Sequence, residues 1–124
     1  MDPQKSGTIL KSFKFALEGI LAAVKTERNF RLGIVEAIVI IILGIVFNIT
    51  RIEWVIIILL TGLVLTAELT NSALEIIVDS FTDKYHPGAK RAKDIAAGAV
   101  VILIITAAIV GTLIFLPYIE ALRG

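Results

Sequence analysis

The sequence predicts an all-α membrane protein, with three transmembrane helices preceded by an amphipathic helix lying in the membrane interface. Two observations carry that class. The 124-residue chain is 57% hydrophobic with a mean hydropathy of +0.93, too apolar for a domain of this length to cover its core with polar surface. Three of its segments also approach or exceed the roughly 20 apolar residues a helix needs to cross the hydrocarbon core. Their length favours helices over strands, because lipid leaves the edges of an open sheet unsatisfied. The chain reads as one domain, residues 1–124.

Taken in order, the first element is a surface helix over about residues 8–27. Lys11, Lys14, Glu18 and Lys25 recur along one face, while Leu10, Phe13, Leu17, Ile20 and Val24 occupy the opposite one, the pattern of a helix half-immersed in an interface. The first span covers about 32–50 and is interrupted only by Glu36. The second covers about 52–81: it is apolar to Ala67 and continues as a mixed helical stretch from Glu68 to Asp79 that emerges from the bilayer. The third covers about 95–117, inside a run from Ile95 to Ile119 without a charge. Asp94, just before that run, stands where a helix amino-terminal cap is expected.

Charge and composition exclude several classes. A net charge of +1 sets aside a nucleic-acid partner recognised through bulk basicity. Zero cysteines exclude a disulfide scaffold and any thiolate metal site. The first 31 residues are charged and periodic and do not read as a signal peptide. Residues 1–31 hold six Lys/Arg and 82–94 hold four, against Arg51 and Arg123 elsewhere. That split places the amino terminus and the 82–94 loop in the cytoplasm, and the 48–53 turn and carboxyl terminus outside.

Three polar clusters could carry chemistry. On a helix, Glu68, Asn71, Glu75 and Asp79 fall within about 80° of arc. Ionisable groups near a membrane are costly unless paired, hydrated or bound to a cation. The stripe is therefore either salt-bridged to neighbouring lysines or a cation site; carboxylate oxygens suit Mg²⁺, and no histidine pair or thiol is available for zinc. The second cluster, His86 to Asp94, holds Lys90, Arg91 and Lys93. Alone it reads as positive-inside charge. Opposite the stripe it offers cations for a phosphate beside carboxylates for its metal, the equipment of phosphoryl transfer. The third, Thr26 to Arg31, contains Glu27, either an ordinary surface acid or a carboxylate that completes a metal site with Glu75. No P-loop or soluble-kinase motif is present.

At these residues the sequence resembles the prokaryotic diacylglycerol kinase/undecaprenol kinase family of small membrane lipid kinases. The resemblance lies in Glu68-Leu-Thr-Asn71-Ser-Ala-Leu-Glu75-Ile-Ile-Val-Asp79, in His86 and Ala92-Lys93-Asp94 with the small residues after them, and in Thr26-Glu27-Arg28-Asn29-Phe30, covering about residues 11–117. Ile52-Glu-Trp54, Thr82-Asp-Lys84, His86-Pro87 and Ile114-Phe-Leu-Pro117 resemble the Gram-positive undecaprenol kinase type more than the enteric one. The resemblance implies a homotrimer in the bacterial inner (plasma) membrane, with sites built between subunits at the cytoplasmic interface. It implies Glu68 as general base, Glu27 and Glu75 as ligands of the Mg²⁺ that accompanies ATP, and Asn71, Lys84, Tyr85, His86, Lys93 and Asp94 with those two glutamates around the nucleotide. Phe30 and Arg31 join Glu68 on the lipid-substrate side. Two departures stand out: Gly33 replaces an enteric glutamate, with Glu36 one turn further along, and Leu17 replaces a family tryptophan.

The expected function is therefore MgATP-dependent phosphorylation of a membrane lipid alcohol, undecaprenol by preference and diacylglycerol as the alternative. The rival from another class is a small cation-conducting membrane trimer, which would place carboxylates at several depths along one span.

Overall fold

The computed structural model describes residues 5–124; Met1 to Gln4, the first residues of the expected domain, lie outside the described part. Four helices follow one another: α1 (Lys5–Thr26), α2 (Arg28–Phe47), α3 (Arg51–Phe81) and α4 (Pro87–Ala121). The last three are each long and apolar enough to cross a membrane. Side chains such as Ile38, Ile58 and Ile102 stay more than half exposed, as suits a protein whose solvent is lipid or another apolar surface rather than water.

The breaks between helices have local causes. Only Glu27 interrupts α1 and α2, with extended dihedrals (φ −106°, ψ 105°). Arg31 ties the elbow: its Nη1 donates to the carbonyls of Val24 and Lys25, both at 3.1 Å, using acceptors that the end of α1 leaves free. At the end of α2, Asn48 takes the left-handed conformation (φ 51°), which asparagine tolerates better than most residues. The chain then re-enters a helix through a capping box, Thr50 Oγ1 accepting from the Glu53 amide at 3.2 Å and Glu53 Oε1 from the Thr50 amide at 2.9 Å.

The core sits at this turn. Ile49, Ile57, Ile114 and Phe115 are buried, with Phe47, Trp54 and Tyr118 packed against them. Tyr118 donates to Glu53 Oε1 at 2.5 Å, fastening the far end of α4 to the turn. Gly44 is required there: a Cβ on it would stand 2.6 Å from Trp54 Cη2. The opposite end of the bundle carries the polar residues.

Element bounds differ most at α4. The helix begins at Pro87, not near Ile95, so the loop expected over 82–94 shrinks to Thr82–His86. Asp94 is no cap. It lies two turns inside α4 and pairs with Lys90 at 2.6 Å, an i,i+4 contact. His86 is the N-cap instead, its Nδ1 accepting from the Ala89 amide at 3.2 Å, and Pro87 occupies the first helical position, where its missing N–H costs nothing. Likewise α2 begins at Arg28 rather than near 32, because charged residues that cannot enter hydrocarbon can still extend a helix beyond it.

Candidate active site

The polar end is built on α3. Because α3 continues unbroken to Phe81, Glu68, Asn71, Glu75 and Asp79 project along one stripe as the spacing requires. Among the described residues, Glu68, Asn71 and Ser72 are the buried polar side chains, exposed by 6%, 8% and 7%. The carboxylates that act on Glu68 electrostatically are Glu36 of α2 and Glu75 of its own helix. Asn71 Nδ2 donates to Glu75 Oε1 at 3.1 Å, whereas Asn71 Oδ1 is buried without a partner. An unpaired buried acceptor is costly and usually awaits a donor or a cation.

A second group stands beside the end of the stripe. Asp79, Lys84, Tyr85, His86, Lys93 and Asp94 line one cleft of about 280 Å³ between α3 and α4, with Thr82, Ala89 and Lys90. Lys93 Nζ reaches across to Asp79 Oδ1 at 2.9 Å. Five of the residues expected at the nucleotide, Lys84, Tyr85, His86, Lys93 and Asp94, thus border a single cavity, which the linker Thr82–His86 flanks on one side. Thr82, Ala89 and the buried Ser72 lie inside segments the sequence singles out but carry no role there, because a small or hydroxyl side chain alone does not mark a site.

The third group is less converged. Glu27 is half-buried at the α1–α2 elbow, and its Oε2 accepts from Thr26 Oγ1 at 3.1 Å. Phe30 is buried at 4% exposure, packed within the chain. The Arg31 guanidinium, expected on the substrate side, is engaged with the two α1 carbonyls already described. That engagement could not be read from the sequence, since a cation near a helix end looks the same whether it meets a ligand or a carbonyl.

The donor set suits a hard cation that keeps part of its water. No three His, Asp or Glu groups converge among the described residues. Mg²⁺ bound with a nucleotide commonly takes only one or two protein carboxylates, with phosphates and water supplying the rest. Glu75, oriented by Asn71, meets that requirement, and the unpartnered Asn71 Oδ1 next to it is a further oxygen donor. The residues fit the ion.

Above the stripe, a mostly apolar groove of about 390 Å³ runs between α2, α3 and α4, lined by Gly33, Glu36, Ile40, Thr61, Leu65 and Ala108 among others. Glu36 and Gly33 share this groove, as their i,i+3 spacing on α2 requires.

Comparison with known proteins gives the family. The family model described as prokaryotic diacylglycerol kinase matches residues 14–115. The chain is 48% identical over 107 residues to the undecaprenol kinase of Bacillus subtilis (strain 168), covering 86% of this chain and 87% of that one. It is 38% identical over 115 residues to a diacylglycerol kinase of Synechocystis, covering 92% and 66% of the two chains. It is 34% identical over 101 residues to the diacylglycerol kinase of Escherichia coli (strain K12), covering 82% and 83%. A helical membrane chain with this carboxylate stripe, matched over most of its length, belongs to the prokaryotic diacylglycerol kinase family and is a lipid kinase.

Proposed function

We propose that the chain phosphorylates undecaprenol with MgATP. The observation that carries this reading is the juxtaposition on α3: the buried carboxylate of Glu68 and the Asn71–Glu75 pair lead along one stripe to the cleft lined by Lys93 and Asp94. Such an arrangement lets a lipid hydroxyl arrive from the bilayer and a nucleotide from water at adjoining points. Support for the acceptor comes from the 48% identity to an undecaprenol kinase, against 38% and 34% to two diacylglycerol kinases. Diacylglycerol is the second reading, carried by those relatives. Membership of a kinase family sets aside the cation-conducting alternative.

In this account Glu68 accepts the proton of the lipid hydroxyl as its oxygen attacks the γ-phosphorus. The bond from that phosphorus to the β,γ-bridging oxygen breaks, leaving a lipid phosphate, ADP and a proton. When bound, Mg²⁺ would supply neutralisation of the phosphate charge. Glu27 and Glu75 would hold it, and Asn71 orients Glu75. Lys93 meets the phosphates, Asp94 and the segment Lys84, Tyr85 and His86 take the nucleoside end, and Phe30 and Arg31 shape the lipid side next to Glu68. The amino terminus and the site face the cytoplasm in the bacterial plasma membrane. This is supported by the placement of ten of twelve Lys/Arg on that side and by the supply of ATP there. The working unit is a homotrimer, supported by the open apolar faces of α2, α3 and α4 and by a site to which Glu27 is not yet joined.

The test is a radiolabelled ATP assay on the detergent-solubilised protein, with undecaprenol and diacylglycerol offered in parallel. Faster transfer to undecaprenol is expected. Transfer to diacylglycerol alone would move the chain to the second reading, and transfer to neither would overturn both.

A further inference from the structure

Asp79 is the one member of the α3 stripe to which the reaction has given no task. It is not buried: its side chain is 62% exposed, and that of Lys93 36%. An exposed carboxylate has no need of a partner, yet Asp79 Oδ1 stands 2.9 Å from Lys93 Nζ across the junction of α3 and α4. The two residues are 14 apart in sequence. They meet because the linker Thr82–His86 is short and α4 starts at Pro87, which brings the second turn of α4 back against the last turns of α3.

Other charges stand around that contact, and Lys84 also lines the cleft. Lys90 and Asp94 are occupied with each other at 2.6 Å. Glu75, one turn back from Asp79, and Asp94 also act on Lys93 electrostatically. Lys93 is therefore the cation drawn toward the stripe, and Asp79 is the group that holds its ammonium by a hydrogen bond. Lysine is a point charge on a flexible four-carbon stem. Fixing that stem before the ligand arrives removes an ordering cost from binding. A carboxylate at the end of the stripe, beyond Glu75, fixes it on the side facing the metal-binding pair.

We propose that Asp79 is a positioning residue for phosphoryl transfer, holding the Lys93 ammonium beside Glu75 at the mouth of the cleft so that it meets the phosphates of the nucleotide. The proposal rests on the reading of Lys93 as a phosphate contact. Asp79 acts through Lys93 and touches no reacting atom, so its removal acts mainly on KM for MgATP and far less on kcat. The plain alternative is a strut that only ties α3 to α4.

The experiment measures kcat and KM for MgATP with undecaprenol as acceptor, and thermal unfolding in detergent, on Asp79→Ala, Asp79→Asn, Lys93→Gln, Asp79→Ala/Lys93→Gln and the exchange Asp79→Lys/Lys93→Asp. Loss of an ion pair this exposed corresponds to about a two- to fivefold rise in KM for Asp79→Ala. Asp79→Asn keeps an acceptor for the ammonium and should recover most of that loss. The double variant should bind MgATP no worse than Lys93→Gln alone, because the two residues act as a unit. The exchange should regain thermal stability without regaining KM. An unchanged KM in Lys93→Gln would overturn the reading of Lys93 and this proposal with it. A raised KM in Lys93→Gln beside an unchanged one in Asp79→Ala would overturn the proposal alone. Full activity in the exchange variant, or additive losses in the double, would show a strut. If Asp79→Ala does not fold, the Asn variant and the exchange decide the matter.

Discussion

Asn71 donates to Glu75 at 3.1 Å across one turn of α3, while its own buried carbonyl oxygen has no partner. The amide thus aims one carboxylate and offers an oxygen beside it, an arrangement that is half satisfied until a cation or donor arrives. Replacing Asn71 by Leu removes both functions. It should lower MgATP affinity by about tenfold, the size of a lost hydrogen bond to a charged group, while thermal stability stays level or rises, because a buried unpaired acceptor is removed. A nucleotide titration followed by thermal unfolding checks both halves. Unchanged affinity would detach Asn71 from the site.

Glu27 and Glu75 lie on different elements, the α1–α2 elbow and α3. If they share one ion, Glu27→Ala and Glu75→Ala each weaken the dependence of rate on Mg²⁺, and the double variant loses little more than either. Strict additivity in that double-mutant cycle would assign the two glutamates to separate sites.

At the other end of the bundle, Gly44→Ala forces a methyl to within 2.6 Å of the Trp54 ring. Overpacking of this kind costs about 1–3 kcal/mol. The variant should unfold at a lower temperature in detergent yet keep its KM for MgATP, since Trp54 lies remote from the cleft. A shifted KM with unchanged stability would contradict that separation.

How much of this was legible beforehand differs by element. The α3 stripe follows from 3.6-residue periodicity alone, and a helix that runs unbroken to Phe81 delivers it. Hydropathy sets the start of α4 too late because it registers where lipid begins, not where hydrogen bonding begins; the local signal for the true start is a cap residue followed by proline, His86-Pro87. Asp94 reads as a cap only if the charged residues before it are taken for loop. The Tyr118–Glu53 contact spans 65 residues and joins two helix ends, and no local pattern announces such a pair. The same holds for Arg31, whose carbonyl partners are set by the angle of the elbow.

Orientation can be read directly, because the chain contains no cysteine and single substitutions can be labelled without background. Lys84→Cys and Arg91→Cys should react only once the cytoplasmic face is opened, whereas Arg51→Cys and Arg123→Cys should react from outside. Labelling of position 123 from the cytoplasmic side would break the three-span arrangement and relocate the site.

In the proposed reaction Glu68, buried on α3, receives the proton of the lipid hydroxyl. The direct measurement is turnover and MgATP binding by purified Glu68→Gln, side by side with the unaltered protein and with undecaprenol as acceptor. Loss of a general base typically lowers the rate about 10²–10⁴-fold, and the glutamine keeps the volume of the side chain, so nucleotide binding should be nearly intact. A variant that binds MgATP and transfers phosphate at close to the original rate would contradict the account.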